Sequence, residues 1–165
     1  MRLLVAYASK RGGTTGLAEA VAHTLEARGA RVDLMPAGEV RFVMGYQGVI
    51  LGSALYAGRW RPASVRFLRR HGPAMREMPV WLFHSGPLGE EAAESQPLPK
   101  NVDRLLRGLE VVDQATFGGR LTVDGGWIAR RMVDGGYGGD FRDFRAAERW
   151  AADIAEYLGL GAPVR

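Results

Sequence analysis

Short apolar runs alternate along this chain with segments of helical period. Arg2-Leu3-Leu4-Val5-Ala6-Tyr7 is apolar at successive positions, the pattern of a strand covered on both faces. Leu17, Ala18, Val21 and Leu25 recur at helical spacing, so Thr15 to Arg28 is predicted as a helix that Gly29 stops. Arg31 to Met35 is a second strand closed by Pro36, and Gly48 to Gly52 a third. A short irregular or helical segment near Val40–Met44 separates them. Pro62 to Arg70 begins as a helix with proline in its first turn, and Val65 and Leu68 give it an apolar side. Pro79 to Phe83 is a fourth strand, Asn101 to Leu109 an amphipathic helix, and Asp113 to Leu121 a fifth strand whose end Gly118-Gly119 weakens. The last helix runs from Asp143 to Leu158, with Ala147, Trp150, Ala151, Ile154 and Leu158 on one stripe.

Strands alternating with helices imply βαβ units and a parallel sheet covered by helices on both faces. The expected fold is therefore α/β: a three-layer doubly wound sandwich around a five-stranded parallel sheet in the order 2-1-3-4-5. Residues 1–165 form a single domain on this reading, with a glycine-rich insert at about 122–140 between the last strand and the last helix. In such a sheet ligands bind beyond the carboxyl ends of the strands. That singles out Ala8–Thr15, Ser53–Arg61 and His84–Gly89 before any motif is considered.

Composition narrows the chemistry. The 165 residues include no cysteine, which excludes a disulfide framework, a thiol nucleophile, an iron–sulfur cluster and a cysteine zinc site. The three histidines lack metal-ligand spacing, so no metal site is expected. No apolar run is long enough to span a bilayer, and the amino-terminal residues lack a signal-peptide pattern, so the cytoplasm is the default expectation. The net charge is +4, and of 22 basic residues only Lys10 and Lys100 are lysine. Six arginines and no acid fall between Gly58 and Arg76. A solvated helix face is the ordinary explanation; contact with an anionic membrane surface is a second one. Nucleic acid is not expected, because no zinc-finger spacing or RNA-binding aromatic motif accompanies the arginines.

Ser9-Lys10-Arg11-Gly12-Gly13-Thr14-Thr15 joins a strand to a helix amino terminus. Adjacent glycines allow close backbone approach, and the free N–H groups and helix dipole favour an anion, naturally a phosphate. Neither a G-x-G-x-x-G nor a G-x-x-x-x-G-K-[ST] pattern is present.

The run Ala6 to Thr14 resembles the phosphate loop of the flavodoxins, although Arg11 stands where that family often has threonine. Leu51-Gly52-Ser53-Ala54-Leu55-Tyr56-Ala57-Gly58 resembles their second flavin loop, with Leu55 where a polar residue is common. Phe83 to Gly89 occupies the third. Within this flavodoxin-like family the sequence is most similar to the quinone-linked protoporphyrinogen oxidase branch, which also carries an insert before the last helix. The resemblance implies FMN as cofactor. Ser9, Lys10, Arg11, Gly12, Gly13 and Thr14 would hold its phosphate. Ser53, Ala54, Leu55 and Tyr56 would pass one side of the ring, with Tyr56 stacked on it, and Ser85, Gly86, Pro87 and Leu88 the other. No catalytic side chain is implied, because the flavin carries the redox chemistry.

The implied function is an FMN-dependent oxidoreductase, of protoporphyrinogen oxidase type with a small substrate and a quinone acceptor. The alternatives are an electron carrier with a redox partner protein, or a flavin-free module that binds a partner. Carriers of this family are usually strongly acidic, which this chain is not. His84 could relay a proton but is better read as a satisfied loop-base residue; His23 faces solvent and His71 ends a helix. Trp60 and Trp127 are expected in loops beside the cofactor edge.

Overall fold

A computed structural model describes residues 1–10, 12–122 and 126–161. Its centre is the strand β1 (Arg2–Ala8), fully buried from Leu3 to Ala6. Helix α1 (Gly13–Ala27) follows, then β2 (Arg31–Pro36), β3 (Gly48–Tyr56) and the two-residue strand β4 (Arg59–Trp60). Next come α2 (Pro62–His71), β5 (Pro79–Ser85), α3 (Lys100–Leu105) and β6 (Glu110–Phe117). The chain ends with β7 (Arg120–Leu121), α4 (Gly126–Met132), β8 (Gly139–Asp140) and α5 (Phe144–Tyr157).

The main sheet has the order β2-β1-β3-β5-β6 with every pair parallel, which is the predicted 2-1-3-4-5 arrangement. β4 adds a short antiparallel arm to β3, and β7 and β8 pair separately. Alternation along the buried strands sends Leu3, Val5, Ile50, Trp81 and Phe83 to one face, where α1 and α5 cover them. Leu4, Val49, Leu51, Val80 and Leu82 go to the other, beneath α2, α3 and the segment Ala37–Val43. α5 shows how local chemistry sets an element's start: Asp143 Oδ1 accepts the Ala146 N–H at 2.9 Å, an N-cap worth ~1 kcal/mol.

Boundaries differ from expectation by more than one residue in three of the parallel strands: β5 runs on to Ser85 instead of Phe83, and β6 begins at Glu110 instead of Asp113. The third strand continues through Ser53, Ala54, Leu55 and Tyr56 instead of stopping at Gly52, and turns back at Ala57-Gly58. The fifth parallel strand ends at Phe117 instead of Leu121. At Gly118 a side chain would overlap the Phe141 carbonyl, and at Gly119 a Cβ would lie 2.9 Å from the Gly86 backbone. The chain crosses there as bare backbone, and Arg120 and Leu121 pair with β8 instead. α3 is also shorter than predicted, ending at Leu105.

Candidate functional site

The carboxyl ends of β1, β3 and β5 lie side by side, with Ala8 opposite Ser53 and Ser53 opposite His84. Above them a cavity of about 360 Å³ opens. Ser9, Lys10, Gly13, Thr14, Ala54, Leu55, Tyr56, Ser85, Gly86 and Leu88 all line it. Three chain segments far apart in sequence thus meet in one hollow, as the strand order requires. A larger depression of about 780 Å³ between α1 and α5 lies away from these strand ends and is an open surface.

One end of the cavity suits an anion. Gly12 precedes α1 with φ +76°, a left-handed conformation that favours glycine, and no side chain caps the helix. The first-turn N–H groups have no acceptor within the helix. Lys10, in the loop just before the helix, also lines the cavity, its Nζ over the Tyr56 ring at 5.7 Å from the centre. Arg120 completes this end: its Nη2 lies 4.0 Å from where a Cβ on Gly12 would sit, and its own Cβ 3.9 Å from the matching position on Gly13. The other end is apolar and aromatic, built by Ala54, Leu55, Tyr56 and Leu88. Tyr56 is 55% exposed and free to present its ring to a planar group. At Gly86 any side chain would collide with the Leu55 carbonyl, so the two ring-side segments touch through backbone.

The floor is polar and closed. Thr14 Oγ1 and Ser85 Oγ are hydrogen-bonded at 2.8 Å, both buried, so the Thr14 hydroxyl ties α1 to β5. Ser53 lies outside the cavity: its Oγ accepts the Arg61 N–H at 2.9 Å beneath β3. Pro87 is also withdrawn, its carbonyl accepting the Gly119 N–H at 2.8 Å. Gly12 opens toward a neighbouring groove instead of the cavity. Arg11 lies outside the described residues.

His84 is fully buried and does not line the cavity. Trp60 Nε1–H donates to its Nδ1 at 3.2 Å, and its Nε2 meets Thr116 Oγ1 at 2.9 Å. Nδ1 is therefore the acceptor, and the proton of the neutral ring sits on Nε2. Burial pushes the imidazole down to about 4, against a smaller upward pull from the Gln96 backbone. Trp60 is thus a buried partner of His84, not a loop residue at the cofactor edge. Trp127 is 74% exposed on α4. His23 is exposed and His71 closes α2, its Nε2 3.2 Å from the Val40 carbonyl oxygen.

Ala57, inside the second segment singled out above, also lines the cavity, and five lining residues lay outside all three segments: Gly119, Arg120, Leu121, Ala129 and Met132. The last two come from α4, which roofs the cavity. The Gly118-Gly119 pair was the available signal for the others, because it marks close backbone approach at a strand's carboxyl end.

A family model described as the flavodoxin domain matches residues 4–135. No curated protein matches. Solved structures do. A flavodoxin from the domain Archaea is 17% identical with a TM-score of 0.69, over 96% of this chain and 99% of that one. Flavodoxin 2 from Bacillus cereus is 21% identical with a TM-score of 0.64, over 95% and 99%. Rubredoxin oxygen:oxidoreductase from Desulfovibrio gigas is 17% identical with a TM-score of 0.67, over 96% of this chain but 36% of that longer one. At these identities the likeness is one of fold.

Proposed function

The chain belongs to the flavodoxin-domain family, and on that premise we propose that it is an FMN-carrying electron-transfer protein. FMN is the cofactor of that family, and the donor set here fits it. The uncapped start of α1 with Lys10 and Arg120 suits the phosphate, and the apolar end lined by Ala54, Leu55, Tyr56 and Leu88 suits a planar ring. When bound, FMN supplies the electron-accepting and electron-donating ring. The protein's part is placement. Tyr56 offers an aromatic face, the Thr14–Ser85 hydrogen bond fixes the helix start against the sheet, and Ala129 and Met132 limit water from above.

The single observation that carries this reading is the continuity of the cavity from α1's amino terminus to Tyr56. It is tested by saturating the purified protein with FMN, desalting it, and recording the visible spectrum and the rate of reduction by a ferredoxin–NADP-type reductase. Retained flavin that exchanges electrons reversibly is the expected result; failure to retain flavin overturns it and returns the chain to the flavin-free, partner-binding alternative. The narrower reading, an oxidoreductase of protoporphyrinogen oxidase type using a quinone, draws on the α4 roof, which could cover a substrate. It stands second because the solved structures named above are flavodoxins and a rubredoxin oxygen:oxidoreductase. Among the described residues no helix is long and apolar enough to cross a membrane. Cytoplasmic residence, with or without contact at a membrane face, remains part of this proposal.

A further inference from the structure

α2 turns Ser64, Phe67, Leu68 and His71 into the protein and is anchored there by the Ser64 hydroxyl, which donates to the Gly52 carbonyl at 2.9 Å. Its outer side carries Arg66, Arg69 and Arg70 at positions i, i+3 and i+4, all exposed. Opposite lies the segment Ala37–Phe42, and between the two lie three adjoining hollows that share Gly38, Arg66 and Arg70 in their walls and together form a groove. At one end it reaches Ser9, Gly12 and Thr15 behind the loop preceding α1; at the other it reaches Phe42. Arg41 and Arg61 also line it, and Glu39 is the sole acid among its described lining residues. No ion pair among the described residues engages any of these five arginines.

The cationic band also touches the cofactor cavity. Arg59, exposed on β4, pairs with Tyr56, which lines that cavity. Arg69 and Arg70 fall in the last turn of α2, where they offset the helix dipole, whereas Arg41, Arg61 and Arg66 have no such role. Together the five form a band of like charge that favours an anionic surface.

We propose that this groove is the docking surface for an acidic redox protein, a proposal that rests on the electron-carrier reading above. Guanidinium groups match carboxylates in paired geometry. Phe42, 75% exposed at the groove's far end, supplies an apolar anchor of the kind protein interfaces place among arginines, and Met44, two residues on, is 73% exposed. A single-stranded nucleic acid would need exposed aromatic platforms along the track; of the aromatic side chains that line it Phe67 is buried, Tyr7 is half-buried, and Phe42 stands at the end. A membrane-seated helix would need an outward apolar face, whereas that of α2 points inward. The complex would have the carrier basic and its partner acidic.

The test uses the FMN-saturated protein and calorimetric titration with two purified carriers, an acidic plant-type ferredoxin and basic cytochrome c. The expected result is binding to ferredoxin and not to cytochrome c, weakened roughly tenfold between about 50 and 300 mM salt. A combined Arg66→Glu, Arg69→Glu, Arg70→Glu variant should lose it, and the Gln triple variant should lose most of it, each with an unchanged circular dichroism spectrum. Should the Glu variant not fold, the Gln variant decides. Equal binding by wild type and variants overturns the proposal. So does absence of ferredoxin binding, and so does a preference for vesicles of phosphatidylglycerol or for an oligonucleotide. The visible spectrum of each sample separates the two claims: a colourless protein that still binds ferredoxin through these arginines ends the carrier reading and keeps the docking face.

Discussion

The floor and the roof of the cavity are built by opposite means. The floor is the carboxyl edge of the central strands, where each buried polar group has a named partner. Thr14 meets Ser85, Ser53 meets the Arg61 N–H, and His84 is held between Trp60 and Thr116. The roof, residues 120–122 and 126–140, is built from two strands of two residues each, a seven-residue helix and the five-residue helical turn Val133–Tyr137. Its attachments among the described residues include two backbone contacts and an arginine. The Gly119 N–H reaches the Pro87 carbonyl at 2.8 Å, and the Phe141 N–H reaches Gly119 at 2.9 Å. Arg142 pairs with Asp140 at 2.5 Å and extends to the Gly13 carbonyl at 3.4 Å. Trp127, Ile128 and Tyr137 remain exposed. Position is therefore set by the sheet, and the roof adds cover with few buried apolar contacts. Such a segment belongs to the low end of local stability.

The largest test of that contrast is acid. His84 in the folded protein takes up its proton only near pH 4, whereas in the unfolded chain it does so near 6.5. Between those values the unfolded chain binds more protons, so stability rises with pH there and is lost as pH falls. The full loss, reached below about pH 4, is ~3 kcal/mol. Protonation would also place a donor on Nδ1 facing the Trp60 N–H. Urea unfolding across this range, wild type against His84→Gln, isolates the effect. The wild-type slope should exceed the variant's, although His71, also lowered by burial, leaves both some slope of the same sign. Parallel curves would mean that the floor is open to water.

What could be read from the sequence follows the same division. β1, the first part of β3 and β5 are apolar at nearly every position because helices cover both faces, and that signal survives without knowledge of neighbours. α5 was legible from its stripe. The end of β3 was not. Ser53-Ala54-Leu55-Tyr56 looks like a loop because its polarity is mixed, yet Ser53 is satisfied by Arg61, just after the returning strand, a partner set by tertiary structure. Trp60 looked exposed for the same reason: its N–H partner lies 24 positions away. Ten of the fourteen site candidates line the cavity because the strand order alone brings their loops together. Arg120 was out of reach, since its approach to α1 depends on β6 ending at Phe117 and on two glycines crossing bare backbone.

Arg120 stands at the junction of floor and roof and gives the intermediate test. Its guanidinium flanks the amino terminus of α1, where a charge-assisted contact to a phosphate is worth ~1.5 kcal/mol or more. Arg120→Ala should weaken FMN binding roughly tenfold, read by flavin fluorescence, and leave riboflavin binding nearly unchanged. Equal weakening of both would show that Arg120 acts by holding the roof in place.

The smallest effect is expected at the roof's outer side. Trp127 is 74% exposed and absent from the cavity lining, while Ala129 and Met132 on the same helix face inward. A large aromatic side chain usually contributes much of a local core, so its removal is ordinarily costly. Here nearly all of its surface already meets water, and no hydrophobic transfer energy can be lost on that fraction. Trp127→Ser should therefore change unfolding stability by less than ~0.5 kcal/mol and leave FMN affinity where it was. A loss of ~1 kcal/mol or more would place the indole against the protein, and the roof would then be as firmly packed as the floor beneath it.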